Sequence, residues 1–480
     1  MLRRARRQVP HLPRLRRQWG GVLVGVAALG TLVGTTGHAG AAQPKWVAAN
    51  IPTEFPTLAC PVPGFCLGAK DGGPPYKAVG DAVVGTYSGD VWHETALPLS
   101  GLTPPAARNP AIEITGLSCP SRGRCVLVGT YIYGVGERDA LIATLSGGKW
   151  TSITAPLSGL TGDNAPASVS DFLSVYLGGF LCNAGLQCPL SALSCPTVSF
   201  CLAVGLYDTV GFDGQGGQAT LVETYRGGRW TASALPDQNL GPPEGQGLFT
   251  FSALDCASVE ACVAVGDYGP VNGTLHDFAE TLSNGKWSSS VGPVVATGRP
   301  YQPIELSGVI TCPERGYCVL ERGHSLMSFS AGKWTTYTDP HISTAWGPLS
   351  CPTKGFCAAV SSNLLATNYL GILENGKLTG YAVPNLGAVV DVSCAAKGKC
   401  VAVGSAVPAG LIETLSGRVW TMSQAPFAGL RPAARFERGT YFTLTRVSCA
   451  STSWCLALGG YTVTPGKTTP QYAFSERESE

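Results

Sequence analysis

Cysteine is the residue type whose spacing in this chain points most directly to chemistry. The chain contains 18 cysteines, and all fall into pairs with five residues between the partners. Paired thiols can bind zinc, carry redox chemistry or form disulfides, but zinc pairs usually have about two to four intervening residues and the Cys-x-x-Cys redox motif is absent. The spacing favours disulfides, and we predict no metal site and no cofactor. Eight pairs recur in a repeat and the last named lies in an insertion: Cys60/Cys66, Cys119/Cys125, Cys195/Cys201, Cys256/Cys262, Cys312/Cys318, Cys351/Cys357, Cys394/Cys400, Cys449/Cys455 and Cys182/Cys188.

A β-hairpin can hold both partners of such a pair at bonding distance. Directly opposed residues of antiparallel strands lie about 4.5–5.5 Å apart, within the range of about 4.4–6.8 Å that a disulfide needs. We therefore predict that each repeat pair bridges its own unit. The sequence leaves the connectivity of Cys182, Cys188 and the neighbouring Cys195 open.

Four short extended segments recur around each pair and must position the cysteines. In residues 191–236 they are Leu193-Ser194-Cys195, the run 201–205, the run 221–225 and, after a Gly-Gly turn, a segment that opens on Trp230. Short apolar runs joined by glycine turns indicate β-hairpins. Most units repeat the tryptophan, which we interpret as a packing residue, and three carry a glutamate at one position of the third segment, which we interpret as structural: Glu223, Glu280 and Glu413.

Stacked copies of this unit predict an all-β fold, a single β-propeller. One blade cannot bury both of its faces, whereas radially arranged blades cover each other. The two chain ends supply complementary halves of a blade, since Lys45-Trp46 opens a fourth segment and the last unit stops after its third at 472–475. We predict eight blades, closed by pairing of the two ends, with seven as the alternative because the units around Cys318 and Cys357 are short.

The first residues resemble an export signal, with seven arginines, an apolar run over 20–33 and a small-residue site near Ala41. The apolar run is shorter than the roughly 20 residues of a spanning helix, so a permanent membrane anchor is the weaker alternative. We predict a signal peptide over residues 1–42, a β-propeller over 43–480 and a secreted or cell-surface protein, monomeric and with no membrane attachment after cleavage. Without the leader, 26 basic residues face 31 acidic ones, which argues against nucleic acid as a partner.

Variation in length is concentrated in the connections that alternate strand direction places on one rim of the ring. Binding residues on rigid scaffolds usually lie in such loops, so this rim is the predicted binding surface. Trp346, outside the repeat register, is a candidate platform for stacking a sugar. The 155–192 insertion contributes the candidates Phe172 and Tyr176, either as a lid over the ring or as a loop pinned by Cys182/Cys188.

The repeat Leu-Ser-Cys-x5-Cys-x-Ala-Val-Gly, followed by Leu-Ile-Glu-Thr-Leu-Ser-Gly-x-x-Trp, resembles the secreted propeller-repeat proteins of actinobacteria. The hairpin over 283–287 is also similar to the Asp-box hairpin of sialidase-like propellers, although most copies here lack its aspartate. The resemblance implies the fold and export.

Two functions remain in competition at this stage. The favoured one is a non-enzymatic scaffold that recognises an extracellular glycan, cell-wall component or protein through the variable rim. The alternative is a sialidase-like glycoside hydrolase or lyase, for which Arg446 on an inner segment is the candidate ligand-binding arginine. We predict no catalytic residue, because no constellation of nucleophile, base and acid is recognisable in the sequence.

Overall fold

The computed structural model describes residues 45–72, 82–103, 105–106, 111–133, 138–158, 160, 190–209, 217–235, 240, 247–270, 276–292, 309–340, 342, 345–361, 368–383, 387–406, 409–430, 442–462 and 471–479. These residues form β-strands, turns and short connections, with no helix among them. Every strand belongs to one of eight four-stranded antiparallel sheets, which we number as blades in chain order. The signal peptide predicted over residues 1–42 lies outside the described part of the chain and stays a prediction.

The strands of the first four blades follow one another along the chain. Blade 1 contains β2 (Thr57–Val62), β3 (Phe65–Lys70), β4 (Val83–Ser88) and β5 (Val91–Ala96); blade 2 contains β6 (Ile112–Ser121), β7 (Arg124–Ile132), β8 (Arg138–Ser146) and β9 (Lys149–Thr154); blade 3 contains β10 (Ala192–Thr197), β11 (Phe200–Thr209), β12 (Gly217–Arg226) and β13 (Arg229–Ala234); blade 4 contains β14 (Gly247–Ser258), β15 (Ala261–Pro270), β16 (His276–Ser283) and β17 (Lys286–Val291).

The remaining blades include the one that joins the two ends of the chain. Blade 5 contains β18 (Ile310–Glu314), β19 (Tyr317–Arg322), β20 (Ser325–Ser330) and β21 (Lys333–Tyr337); blade 6 contains β22 (Trp346–Thr353), β23 (Phe356–Ser361), β24 (Tyr369–Glu374) and β25 (Lys377–Ala382); blade 7 contains β26 (Ala388–Ala396), β27 (Lys399–Ala406), β28 (Ala409–Ser416) and β29 (Val419–Gln424); blade 8 contains β30 (Phe442–Ser451), β31 (Trp454–Thr462), β32 (Gln471–Ser479) and β1 (Lys45–Ile51).

Blade 8 is closed as the sequence predicts. Strand β1 pairs antiparallel with β32, from Lys45 opposite Ser479 to Ile51 opposite Ala473. The short units around Cys318 and Cys357 each form a complete four-stranded sheet, which gives eight sheets in all. The first strand of each blade contacts the first strand of the next, and β2 contacts β30, so the blades form a closed ring. The all-β propeller prediction is confirmed.

The hydrophobic core is divided among the interfaces between blades. Each cluster of buried apolar residues joins two neighbouring blades; Leu202 and Val204 of blade 3, for example, pack with Phe251 and Phe278 of blade 4. The other clusters follow the same rule around the ring, and the last joins blade 8 to blade 1. Both faces of each second strand are therefore covered, which explains its unbroken apolar sequence.

All eight repeat pairs of cysteines form disulfides within their own blades, as the spacing predicts. Their Cα atoms lie 4.0 to 4.1 Å apart. The ninth pair, Cys182/Cys188, lies outside the described residues, and its pairing stays a prediction. The pairs found are Cys60–Cys66, Cys119–Cys125, Cys195–Cys201, Cys256–Cys262, Cys312–Cys318, Cys351–Cys357, Cys394–Cys400 and Cys449–Cys455.

The second cysteine of each pair lies in the core and not on a surface where a ligand could reach it. Each one begins or nearly begins the second strand of its blade, which is covered on both sides by the neighbouring blades. These cysteines have the structural role that the spacing predicts, because all are at most 3% exposed within the clusters between blades: Cys66, Cys125, Cys201, Cys262, Cys318, Cys357, Cys400 and Cys455.

The residue after the first cysteine affects the local register of the hairpin. Where it is alanine, as in blade 7, Cys394 and Cys400 pair directly in the ladder. Where it is proline, as in blade 3, the ladder shifts between Ser194 and Thr197. Proline has no N–H to donate, so the disulfide is compatible with a local break in the ladder.

A recurrent glycine in the second strand has a steric cause. Gly129, Gly266 and Gly404 lie opposite a bulge of the first strand, where a backbone carbonyl approaches closely. A Cβ on Gly266 or Gly404 would lie 1.8 Å from that carbonyl oxygen. The glycine of the Val-x-Val-Gly pattern therefore permits the bulge.

Hydrogen bonds from blade to blade reinforce the inner ring. The serine of the Leu-Ser-Cys pattern accepts a hydrogen bond from the backbone N–H of the first cysteine in the next blade, as when Cys449 N–H donates to Ser393 Oγ at 3.0 Å. We call this contact the serine latch, and it also links Cys60 to Ser448, Cys195 to Ser118, Cys256 to Ser194 and Cys394 to Ser350. Asp255 replaces the serine in blade 4 and accepts from Cys312 N–H at 2.7 Å.

Candidate binding face

The two faces of the ring differ in the connections that they carry. On the hairpin face, which holds the cysteine turns and the glycine turns, each hairpin described has two residues between its strands. On the opposite loop face, connections range from residues 323–324 between β19 and β20 to residues 155–191 between β9 and β10. Variation in length thus falls on the loop face, which makes this face the candidate binding surface.

Several loop-face connections begin with an equivalent six-residue segment whose last residue is a buried leucine; we call this segment the anchor. Residues 97–102, 155–160, 235–240 and 425–430 share Pro at their second position and Leu at their sixth. The N–H of the sixth residue donates to the carbonyl of the third in three of them, at 3.3 Å for Leu102 and 3.4 Å for Leu160 and Leu430. These leucines are buried, as is Leu240. Each variable connection of this type therefore leaves from a fixed position, and the Pro-x-x-x-Leu spacing was a sequence signal for it.

The 155–192 insertion is anchored where it is described. Its flanking residues Leu160 and Leu190 belong to the same cluster between blades 2 and 3. The Leu190 carbonyl accepts a hydrogen bond from Thr115 Oγ1 at 2.7 Å. The candidates Phe172 and Tyr176 lie outside the described residues, so their role as binding residues, and the choice between a lid and a pinned loop, remain predictions.

The sequence suggested that Trp346 lies in a variable connection, but the structure places it in the first strand of blade 6. Only 2% of its surface is exposed, and its ring packs in the cluster between blades 5 and 6. The indole contacts Gly371, where an added Cβ would lie 2.5 Å from the ring. The short preceding connection brings Trp346 into β22 and the facing glycine leaves room for the ring. A ring so placed fills a blade interface and offers no exposed surface for stacking.

Arg446 lies in β30 and forms hydrogen bonds across the closure of the ring. Its Nε donates to the Pro56 carbonyl at 2.6 Å, and one Nη donates to the Thr445 carbonyl at 2.7 Å. The positions equivalent to Arg446 in the other blades hold no arginine. Arg446 therefore contributes to the contact between blades 8 and 1. It has no companion arginine at an equivalent position, and its role as a ligand-binding residue stays a prediction.

Several carboxyl groups lie between blades. Asp391 accepts hydrogen bonds from the N–H of Val392 at 2.9 Å and of Val447 at 2.8 Å, so it joins blade 7 to blade 8. Burial raises the pKa of Asp391 to about 6, although the Val447 N–H and the Arg446 charge lower it in part. Such a carboxyl group links strands and is not positioned to reach a substrate.

The three glutamates at equivalent repeat positions are also buried, but Glu223 accepts no such hydrogen bonds. Glu223 is 0% exposed, and neither carboxyl oxygen has a hydrogen-bond partner in the part of the chain that the structure describes. Burial raises the pKa of Glu223 to about 8 and that of Glu413 to about 7. Glu280 is also buried. Glu223 and Glu413 are largely or partly protonated near neutral pH, which fits a position inside blade interfaces.

The loop-face end of blade 4 contains a pair of carboxylates that the sequence did not reveal. Asp267 and Asp277 lie directly opposite each other on β15 and β16, and both are buried. They occupy the same face of the blade as Val265 and Ala279, which pack against blade 5. The orientation toward blade 5 indicates a structural pair.

A groove runs between the outer parts of blades 1 and 2, with a volume of about 370 Å³. Phe65, Thr86, Lys149 and Trp150 are among its lining residues. Its lining extends from Gly148, in a turn of the hairpin face, to Pro98, in a connection of the loop face. The described residues contain no group of three or more metal-ligating side chains, and no described helix is long and apolar enough to cross a membrane.

The fold and the two faces define the class of this protein, a β-propeller with a disulfide in each repeat unit. No protein-family model matches the chain, and no curated protein matches its sequence. Among solved structures, the chain is similar to YCF48 bound to D1 peptide, at 12% identity over 77% of this chain and 92% of that chain, with a TM-score of 0.39.

Two enzymes with propeller similarity were also found. A prolyl endopeptidase matches at 9% identity over 86% of this chain and 56% of that chain, with a TM-score of 0.43. Trypanosoma rangeli sialidase in complex with sialic acid matches at 9% identity over 85% of this chain and 59% of that chain, with a TM-score of 0.35. At such identities and TM-scores these similarities concern the architecture and carry nothing about ligand or activity.

Proposed function

We propose that this protein is a secreted, non-enzymatic binding scaffold that recognises an extracellular glycan, cell-wall component or protein through its loop face. The observation that carries the proposal is the segregation of connection lengths. Every described hairpin-face turn has the same two-residue length, whereas the loop-face connections diverge beyond their buried anchors. A rigid ring that varies only on one face has the organisation of a binding scaffold.

Disulfides support the extracellular part of the proposal. Each described blade contains one, and such bonds persist in oxidising compartments such as the bacterial periplasm and the extracellular medium. Export through the signal peptide predicted over residues 1–42 is consistent with this chemistry.

The hydrolase alternative lacks a supporting observation in the described residues. Glycosidases place two carboxyl groups on either side of the scissile bond, open to the substrate. The carboxyl groups of Asp267, Asp277 and Glu223 are instead buried between blades. We therefore retain the scaffold as the proposed function.

Replacement of the longest loop tests the proposal. Residues 161–189 can be exchanged for a short Gly-Ser linker, because the flanking Leu160 and Leu190 remain to anchor its ends. We expect the wild-type protein to bind on an array of neutral and acidic glycans or to immobilised peptidoglycan, and the exchanged protein to lose at least about tenfold in affinity with its melting temperature nearly unchanged.

A matched control keeps the loop face intact and alters the hairpin face instead. The variant Ser283→Ala changes an exposed residue next to a turn of that face and is expected to bind the same probe as the wild type. Equal binding by the wild-type and loop-exchanged proteins would contradict the proposal for this loop, and turnover of a chromogenic glycoside by the wild type would favour the hydrolase.

A further inference from the structure

The hairpin face carries exposed basic residues at the same place in six successive blades. Five lie directly after the turn between the third and fourth strands, just before the Trp or Leu of the outer strand, and the sixth, Arg418, lies in the turn itself, two residues before Trp420. We call them the basic arc: Lys149, Arg229, Lys286, Lys333, Lys377 and Arg418, in blades 2 to 7. Blade 1 has Asp90 in this turn, so the arc is interrupted there.

Turn formation does not require these cations. The left-handed backbone conformation of the turns is supplied by the preceding residues, such as Gly148 with φ +76°, Gly285 with φ +76° and Gly376 with φ +78°. The basic residue follows in extended conformation, as the first residue of the outer strand in five of the blades. A neutral residue would serve the fold equally well at these positions, as Val91 does in blade 1.

Five of the six cations also lack an electrostatic partner among the residues that the structure describes. Across the described ranges, five members form no ion pair and do not lie over an aromatic ring: Lys149, Arg229, Lys286, Lys333 and Lys377. Arg418 is the exception, because its Nη2 lies 2.6 Å from Glu374 Oε2. The charge of the arc is therefore largely available to a ligand.

The basic residues in or next to the cysteine turns, which lie closer to the ring axis, have partners among the described residues. Arg122 and Arg124 lie over the rings of Phe65 and Tyr225, and Lys399 donates to Ser416 Oγ. Arg315 pairs with Glu260 of the neighbouring blade at 3.7 Å, and Lys354 pairs with Glu314 at 2.6 Å. Each pair joins two adjacent blades, and its positive and negative charges offset each other. The described cations of the hairpin face that have no ion, ring or hydrogen-bond partner therefore include five at its outer edge, in the basic arc.

The positive charge of the basic arc is local, because residues 43–480 contain more acidic than basic residues. A surface of one sign attracts ligands of the other sign even when the net charge of the protein is of the ligand's sign. Because the cations repeat from blade to blade, a long ligand with repeated negative charges can contact several of them at once.

We propose that the basic arc binds a linear anionic polysaccharide. Four of the six residues are lysines, whose ammonium groups bind anionic groups as point charges and do not require one fixed orientation of the anion. Disulfides persist in oxidising compartments outside the cytosol, and acidic polysaccharides are the linear polyanions that we propose the arc meets there. The proposal concerns the face opposite the loop face and does not rest on the function proposed above.

A charge-reversal variant tests the proposal. It combines Lys149→Glu, Arg229→Glu, Lys286→Glu, Lys333→Glu and Lys377→Glu. These residues lie at the outer edge of the hairpin face, so the fold should be retained, and the melting temperature checks this. The probes are heparin and polygalacturonate, with neutral dextran for comparison. We expect the wild type to bind both acidic polymers with an affinity that falls with added salt, and the variant to bind at least about tenfold more weakly at about 0.1 M salt.

A charge-preserving control separates charge from shape. The combination Lys149→Arg, Lys286→Arg, Lys333→Arg and Lys377→Arg is expected to bind both polymers as the wild type does. The loop-exchanged protein should also retain this binding, which distinguishes the basic arc from the loop face.

Three results would overturn the proposal. They are the absence of wild-type binding to either acidic polymer at low salt, equal binding by the wild-type and charge-reversal proteins, and tighter binding of single- or double-stranded DNA than of either polysaccharide at the same salt concentration.

Discussion

The two faces of this ring use the same strands and differ in what joins them. On the hairpin face, every described turn has two residues and most turns place a glycine in the left-handed conformation. On the loop face, connections share a short anchored start, such as Pro98 to Leu102, and then diverge. The chain is thus regular where the blades pack against each other, and the lengths of its connections vary only beyond that packing.

The comparison also separates two kinds of charge. Carboxyl groups between blades, such as Asp391, connect the blades through backbone N–H groups, whereas most of the exposed cations of the basic arc connect nothing inside the described protein. A group with internal partners is explained by the fold. A charged group without internal partners is not explained by the fold, and substitution should distinguish the two kinds of group by its effect on stability.

The largest effect is expected at Trp346, which the sequence placed on the binding surface and the structure places in the core. Trp346→Ala removes a buried indole, and the free energy of unfolding should fall by about 3–5 kcal/mol, measured by urea denaturation. Gly371→Ala should cost about 1–3 kcal/mol because its methyl group would meet the ring.

The two sites form a double-mutant cycle. Gly371→Ala should cost less in a Trp346→Leu background, since the smaller side chain leaves room for the methyl group. If Trp346→Ala left stability unchanged and abolished ligand binding, Trp346 would belong to the binding face after all.

The second effect concerns the pH dependence caused by Glu223. Its pKa is about 8 in the folded protein and near the ordinary value when unfolded, so the unfolded chain releases this proton at lower pH. Between about pH 4.5 and 8 the free energy of unfolding should therefore decrease with pH, by at most about 1.4 kcal/mol per unit from this group.

Glu223→Gln is expected to remove that contribution. The variant should be more stable than the wild type at about pH 8.5 and similar to it at about pH 4.5, in urea titrations at both values. A matched control is Glu94→Gln, because Glu94 is exposed on the outer strand of blade 1 and should leave the pH profile as it is. The same profile for Glu223→Gln and the wild type would show that Glu223 is ionised in the folded ring.

A smaller effect is expected at the serine latch. Ser393→Ala leaves the Cys449 N–H without its acceptor, and the free energy of unfolding should fall by about 1–3 kcal/mol. Blade 1 has Ala59 at the equivalent position, and Ala59→Ser should provide an acceptor for the Cys119 N–H and add about 1 kcal/mol.

An exposed serine serves as the control for the latch. Ser283→Ala on the hairpin face should leave stability within about 0.5 kcal/mol of the wild type. Equal effects of Ser393→Ala and Ser283→Ala in urea denaturation would mean that the latch contributes nothing to the ring.

These residues show how far the sequence leads. Ring closure by Lys45 to Ile51 and the disulfides followed from spacing, because hairpin geometry leaves few choices for a pair with five residues between its members. The serine latch did not follow, since its partner lies in the next blade and the pattern Leu-Ser-Cys does not reveal which way the serine points. The burial of Trp346 depends on a facing glycine in another strand, Gly371, and the aligned repeat shows no register between the two.

The same limit applies to the basic arc and to the loop-face residues. The recurrence of a basic residue before tryptophan was visible in the sequence, but its meaning depends on the face that holds it. Only the strand order places Lys149 and Lys377 on one surface, opposite the variable loops.

The smallest effect compares a paired with an unpaired cation of the hairpin face. Lys354 Nζ lies 2.6 Å from Glu314 Oε1 and also lies over the Tyr317 ring, so Lys354→Ala should lower the free energy of unfolding by up to about 1 kcal/mol at low salt. Lys286→Ala should change it by less than about 0.5 kcal/mol, because Lys286 has no such contact among the described residues. Urea denaturation at about 0.05 and about 1 M salt measures both, and salt should reduce the effect of Lys354→Ala. If Lys286→Ala were the more destabilising of the two, the basic arc would serve the fold, and its charge would need no ligand to explain it.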